Sequence, residues 1–211
     1  YHVAEHHLGD KDNNTLSVDV TSFLFPGMKL YAEFFIDDMT STRSWTSYFG
    51  NKFGIQLGSH LVDPLGLPNT DLHVEYTRIE PYVYTHWDSI NIYTHYDKVI
   101  GSWLGPNSDD VYLELGWQVQ RDFRAALSFE QIRQGVGGVN TTSRPEEGEK
   151  KEFLKGTNER RQLWGLKLTN QIRRDLFVAV EYTYSDGRNL VQITGNNSYD
   201  HLARFELYFN Y

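Results

Sequence analysis

The last ten residues, Leu202 to Tyr211, constrain this chain most. Ala203, Phe205, Leu207, Phe209 and Tyr211 fall on one side of an extended strand, and Arg204, Glu206 and Asn210 on the other, because side chains alternate with a period of two. A terminal strand that is apolar on one side, charged on the other and ends on an aromatic is what a membrane β-barrel needs to close. The same alternation runs through the rest of the chain. It predicts strands near 14–25, 28–38, 51–61, 71–80, 109–119, 122–134, 160–171, 175–185 and 199–211, with Tyr1–Leu8 as the remnant of an earlier one. Most are about ten residues long, the length of a tilted bilayer-crossing strand, where strands of soluble proteins average about five or six.

The connections alternate in length. Phe25–Met28, Val119–Asp122 and Ile172–Asp175 are tight turns, and Asp63–Thr70 is a longer one with two prolines; between them come loops at 39–50, 81–108, 135–159 and 186–198. Short turns at one end and long loops at the other are the asymmetry of outer-membrane barrels. All six prolines fall in turns or loops, where no ladder hydrogen bond is lost.

Sorting by parity gives a lipid-facing set: Leu30, Ala32, Phe34, Ile36; Phe53, Ile55, Leu57; Leu72, Val74, Tyr76; Val111, Leu113, Leu115, Trp117; Phe123, Ala125, Leu127, Phe129; Trp164, Leu166, Leu168; and Leu176, Val178, Val180, Tyr182. The opposite set carries Glu33, Glu75, Glu114, Glu130, Lys167, Glu181, Arg204 and Glu206, with Asp19 in an equivalent position; these are the expected lumen-lining residues. Lys or Arg at the lipid midplane costs about 2–4 kcal/mol, whereas a hydrated lumen holds such charges. Soluble sandwiches and lipocalin-type barrels also alternate. Strand length and loop asymmetry favour the membrane topology. The fold expected is therefore all-β, an antiparallel transmembrane β-barrel with about nine or ten strands in residues 1–211. It is read as one barrel domain or the C-terminal half of a larger one. The chain starts on Tyr1 with no Met or secretory leader pattern, and is read as a processed chain or a portion of a longer one.

Composition removes several functions. No cysteine is present, so thiol catalysis, zinc-thiolate sites and disulfides drop out. A net charge of −8 argues against nucleic-acid binding. No segment approaches the ~20 apolar residues of a spanning helix. Nucleophile-elbow, P-loop and zinc-protease motifs are missing, and His86, His95 and Ser102 form a rim triad only by special arrangement, so the chain is read as non-enzymatic. His86 and His95 lie nine residues apart with no tight metal-ligand spacing, and neither a metal nor a cofactor is expected. Asp37-Asp38 reads as a solvated strand end, with a divalent-cation site as the alternative. The polar stretch Gly135–Arg161 reads as solvated and mobile. The Asn-x-Ser/Thr sequons at Asn140 and Asn196 carry no glycosylation in this reading.

The loop Glu80–Asp110 is the strongest site candidate, because ordered loops of this length are usually functional. It carries Tyr82, Tyr84, Trp87, Tyr93, Tyr96 and Trp103, with His95, Asp88, Asn91, Asp97 and Asn107 among them. Rings stack on the C–H faces of sugars, and amides and carboxylates bond their hydroxyls. Tyr82, Tyr84, Trp87, Tyr93, His95, Tyr96 and Trp103 are the candidate ligand-binding residues. The alternative is that these rings form an aromatic girdle, or that the loop folds into the lumen as a constriction.

The segment Glu75–Leu115 contains Tyr-Thr-His at Tyr84–His86 and again at Tyr93–His95, and Leu-Gly-Pro-Asn at Leu104–Asn107; upstream, Phe25-Pro-Gly is followed by Leu30-Tyr-Ala-Glu-Phe-Phe-Ile-Asp-Asp. In these stretches the chain resembles the capsule-assembly outer-membrane proteins of the Wzi type, over most of 14–211. The resemblance implies a barrel of about eighteen strands with a helical periplasmic plug, of which nine or ten strands are half. It also implies a lectin-like role, holding capsular or surface polysaccharide at the cell surface of the bacterial outer membrane. The partners expected are outer-membrane lipid and lipopolysaccharide, surface polysaccharide, and the barrel-insertion machinery through the C-terminal strand. A porin-like channel for small solutes and a structural subunit of a larger envelope complex stand as the alternatives.

Overall fold

The computed structural model describes residues 14–86, 91–96, 98–140 and 148–209. Nine strands form one antiparallel sheet: β1 (Leu16–Phe25), β2 (Met28–Asp38), β3 (Lys52–Val62), β4 (Thr70–Ile79), β7 (Ser108–Gln120), β8 (Phe123–Gln134), β9 (Glu159–Arg173), β10 (Leu176–Arg188) and β11 (Ser198–Phe209). Each pairs with its neighbour in chain order. The exception is the step from β4 to β7, which spans a two-residue hairpin, β5 (Thr94–His95) with β6 (Lys98–Val99), inside the long loop. The turn end is tight for local reasons. Pro26 presets one turn dihedral and Gly27, at φ 73°, supplies the positive φ of the next, the Pro-Gly pattern of a type II turn. Phe25 then lies opposite Met28.

Register carries the alternation across the sheet. Val20 faces Ala32, Ala32 faces Leu57, Leu57 faces Tyr76 and Tyr76 faces Val111. Farther along, Leu72 faces Leu115, Leu115 faces Leu127, Leu127 faces Leu166, Leu166 faces Tyr182 and Tyr182 faces Ala203. A slip of one residue on any strand would invert its whole apolar set; the recorded shifts sit near strand ends, at Ser22/Phe25, Ile36/Asp38, Gln118/Gln120 and Leu176/Phe177. Among the described residues no protein layer covers the resulting apolar face. Leu127 is 58 % exposed, Trp164 53 % and Phe205 67 %, and soluble monomers do not leave an apolar face of this extent to water. No helix among the described residues is long and apolar enough to cross a membrane. The sheet is open: β1 and β11 each have one unpaired edge among the described residues, the form of a barrel wall in part.

The opposite face is polar and internally bonded. Tyr31 donates to Glu75, and its hydroxyl lies 2.9 Å from His73 Nε2. His73 stacks on His60 at 4.0 Å, and Gln56 donates to Glu75 at 2.9 Å. Arg124 reaches across Gly116 to grip Asp71 through both guanidinium nitrogens, at 2.7 and 2.9 Å. A Cβ at Gly116 would lie 2.1 Å from Arg124 Nη2, so a larger residue there would push the guanidinium off this path. Glu181 pairs with Arg204 at 3.8 Å.

Several expectations change. Strand β9 runs to Arg173 and β10 to Arg188, so the 186–198 loop shortens to residues 189–197. Asp37 is not a solvated strand end: it is 5 % exposed, and its Oδ2 accepts the Tyr84 N–H at 2.9 Å. The 135–159 loop is not uniformly solvated either, since Lys151 and Glu159 are buried. Parity is imperfect at the loop end, where Ile79 and Ile132 lie on the polar face while Arg78 and Asp109 lie on the apolar one. A returning loop covers the first pair, and loop-end ion pairs hold the second. The expected strand remnant Tyr1–Leu8, and Asn210 and Tyr211, lie outside the described residues.

Candidate functional site

The loop between β4 and β7 folds back over the polar face. Val83, Tyr84 and Leu104 pack with Ile79 into the buried cluster of the molecule, and Phe35, Tyr93, Val99, Ile132 and Val139 close around it. Phe35 and Ile132 are apolar residues at the loop end of the polar face. They face inward because this loop covers them.

Tyr84 is the pin of the loop. Its ring lies 5.6 Å from Phe35 and stacks on Tyr93 at 5.7 Å; its N–H is held by Asp37, and its hydroxyl accepts the Ser102 N–H at 2.9 Å. Burial pushes the phenol above its ordinary pKa, with the Ser102 N–H opposing. Gly101 lies flat against this ring, and a Cβ there would come within 2.4 Å of Tyr84 Cζ. Because the ring is fixed on every side, Gly101→Ala is expected to destabilise the loop by about 1–3 kcal/mol through overpacking. Faster hydrogen exchange at Val83–Thr85 would register it; unchanged protection would show that the ring is free to move.

Three loops are braced by buried polar side chains, of which only Asn107 stands out in the sequence, as a polar member of the site loop and not as a brace. Asn51 Oδ1 accepts the Thr40 N–H at 2.7 Å and its Nδ2 donates to the Ser44 carbonyl at 3.0 Å. Lys52 Nζ donates to the Thr85 carbonyl at 2.9 Å. Asn107 Nδ2 donates to the Val136 carbonyl at 2.9 Å while its Oδ1 accepts the Leu154 N–H at 2.8 Å. Lys151 donates to the Asn51 carbonyl and pairs with Glu80 at 3.3 Å. Burial lowers the Lys151 pKa, and Glu80 opposes that shift. Backbone bonds between Phe49 and Glu149 at 3.0 Å and between Lys151 and Ser47 at 2.8 Å join the first and third loops directly. The result is one cap over the loop end of the sheet. Nothing in residue type alone marks Asn51 or Asn107 as buried; a loop asparagine is usually solvated.

Beneath the cap is a cleft of about 530 Å³ between loop and sheet, lined among others by Glu33, Gln56, Glu75, Asp110, Tyr84, Tyr93 and Trp103. It brings together carboxylates, an amide and rings. The candidate ligand-binding residues divide. Tyr84 is buried and Tyr93 half-buried, both as packing partners. Tyr82 is half-buried in the turn, where its carbonyl accepts the Thr85 N–H at 3.1 Å and hydroxyl at 2.6 Å. Trp103, 71 % exposed, stands at the cleft, while Tyr96, 88 % exposed, meets His95 edge-on at 4.4 Å on the β5–β6 hairpin. Trp87 lies outside the described residues. An exposed ring not anticipated, Trp45, stacks on Phe53 at 5.7 Å.

The eight charged residues expected in the lumen share the polar face but not one site. Glu33, Glu75 and Glu130 lie at the loop end near the cleft, Glu114 in mid-sheet, and Lys167, Glu181, Arg204 and Glu206 on the far strands β9 to β11. Among the described residues no group of three His, Asp or Glu side chains is arranged to hold a metal ion.

No curated protein and no solved structure matches the chain. The model of the family described as capsule assembly protein Wzi matches residues 5–202. That span takes in the strands β1 to β10, the loop cap and the cleft, and the chain accordingly belongs to the Wzi capsule assembly family of outer-membrane β-barrel proteins.

Proposed function

We propose that this chain serves capsule assembly by binding surface or capsular polysaccharide at the loop end of its barrel, without making or breaking bonds. The observation that supports this reading most is the cleft of about 530 Å³ where Glu33, Glu75, Asp110 and Gln56 meet Tyr93 and Trp103. Carboxylates and an amide accept and donate to hydroxyls, and rings cover the C–H faces of the same sugars. The cap that forms its roof is fixed by buried hydrogen bonds, so little ordering entropy is lost on binding. Tyr96 and Trp103 are the ring contacts proposed for the glycan. Tyr84 and Tyr93 hold the loop, and Tyr82 shapes its turn. The chain sits in the bacterial outer membrane, with lipid and lipopolysaccharide against its apolar face and its C-terminal strand recognised by the insertion machinery. Residues 1–211 form one barrel part in this reading.

Binding of the producing cell's own capsular polysaccharide is the measurement. Trp103→Ala is expected to weaken it about tenfold, within the range of a lost ring contact, and Tyr96→Ala by less. Binding unchanged in the Trp103→Ala and Tyr96→Ala double variant would remove this site. The loop lying across the polar face also favours a closed lumen over a porin-like one, and in planar bilayers the protein is expected to conduct little. Steady large conductance would favour the channel.

A further inference from the structure

At the loop end, the apolar face of the sheet carries a row of cations. Arg133, Arg160 and Arg188 are direct cross-strand partners on β8, β9 and β10. Their parity places them on the same face as Phe129, Trp164 and Tyr184, themselves in register four residues nearer the turn end. Between the two rows lie Gln131, Gln162 and Asp186, with Gln162 donating to Gln131 at 2.8 Å. Followed toward the loops, this face passes from leucines to rings, then to two amides and a carboxylate, then to guanidiniums, with about 13 Å of strand between rings and guanidiniums.

Like charges directly opposite on neighbouring strands repel, and a chain of net charge −8 has no general excess of cations to place. The two outer arginines are held in position. Arg133 forks onto Asp109 at 2.9 and 2.5 Å. Arg188 pairs with Asp186 at 2.7 Å and lies 4.8 Å above the Tyr199 ring. Arg160, between them, is exposed and makes no ion pair or side-chain hydrogen bond among the described residues. Two carboxylates for three guanidiniums leave one positive charge in excess, just beyond the belt of rings where hydrocarbon gives way to head groups.

We propose that the Arg133–Arg160–Arg188 row binds the phosphate groups of lipopolysaccharide in the outer leaflet. This rests on the reading that outer-leaflet lipid covers the apolar face. Planar guanidinium forks bind phosphate through paired N–H donors. Two of the three are already oriented by carboxylates, and the third supplies the unneutralised charge. Acyl chains of the same lipid lie along Phe129, Trp164 and the leucines, so head group and chains are recognised by successive bands of one surface.

The test measures binding of lipid A to the purified protein in detergent, with bisphosphorylated and dephosphorylated forms compared by native mass spectrometry. The wild type is expected to prefer the bisphosphorylated form. Arg160→Gln should reduce that preference about tenfold, Arg160→Lys should keep most of it, and Arg160→Gln/Arg188→Gln should abolish it. The heat-modifiable gel shift reports whether each variant is folded, and Arg160→Lys covers the case in which the glutamine variants are not. Inorganic phosphate at millimolar concentration should compete weakly. If it competes as well as lipid A does, the row is a free-anion site and the proposal fails. Equal binding of the two lipid forms by the wild type, or full preference in folded Arg160→Gln, also overturns it. A protein that stays folded and monodisperse without detergent would instead remove the lipid-face reading itself, a different failure from a detergent-dependent protein with an inert arginine row.

Discussion

Leu127→Arg is expected to destabilise the folded protein in a phospholipid bilayer by about 2–4 kcal/mol, the cost of a cation at the lipid-facing midplane of a barrel strand. Leu127 is 58 % exposed, and its cross-strand neighbours are Leu115 and Leu166, so the guanidinium has no partner within the sheet. In Glu130→Arg the same cation sits three residues along, on the other face and within electrostatic reach of the Asp110 carboxylate. Its cost is expected to stay below about 1 kcal/mol, because opposite charges there offset the change. Folding from urea into vesicles, followed by tryptophan fluorescence and the gel shift, measures both. Equal costs for the two variants would mean that hydrocarbon does not cover the face of Leu127, and the barrel orientation would have to be reversed.

The second large effect is expected at Asn107. Asn107→Ala removes the buried amide that bonds the Val136 carbonyl and the Leu154 N–H across two loops, leaving both backbone groups without that partner in a part-buried place. Each such loss costs about 1 kcal/mol where water can partly replace the amide. The residue also sits at φ 57°, where alanine is strained and asparagine is tolerated. A total of about 2–4 kcal/mol in local stability is expected. It should appear as faster exchange and protease cleavage in residues 135–140 and 148–158, and, under the proposed function, as weaker polysaccharide binding because the cleft loses its roof. Asn107→Gly relieves the backbone strain but not the lost amide, so it should recover only a small part. If Asn107→Gly restores the loop fully, the amide bonds do not hold the cap.

These two residues mark the boundary between what was legible in the sequence and what was not. Leu127 was assigned to its face from parity alone. Period-two alternation is a local property, and pairing in chain order carries it across the sheet without further information. The tight turns were legible for the same reason, since Pro26-Gly27 fixes its own dihedrals. The Tyr-Thr-His repeat and the Leu-Gly-Pro-Asn stretch marked the loop that turned out to fold over the polar face.

Asn107, Asn51, Lys52 and Lys151 were invisible as anchors. Their partners lie 29 to 100 residues away for Asn107, Lys52 and Lys151, and only a particular arrangement of three loops brings them together. Asp37 reads as solvated from sequence for the same reason: the Tyr84 N–H that it accepts belongs to a loop 47 residues on. The row of Arg133, Arg160 and Arg188 likewise became a feature only when register set three strands side by side. Sequence alone determined the strands, their two faces and the family, because each depends on near neighbours along the chain. Which loop residues pack and which stay open to a ligand was decided by tertiary structure, since burial of a polar group depends on a distant partner reaching it.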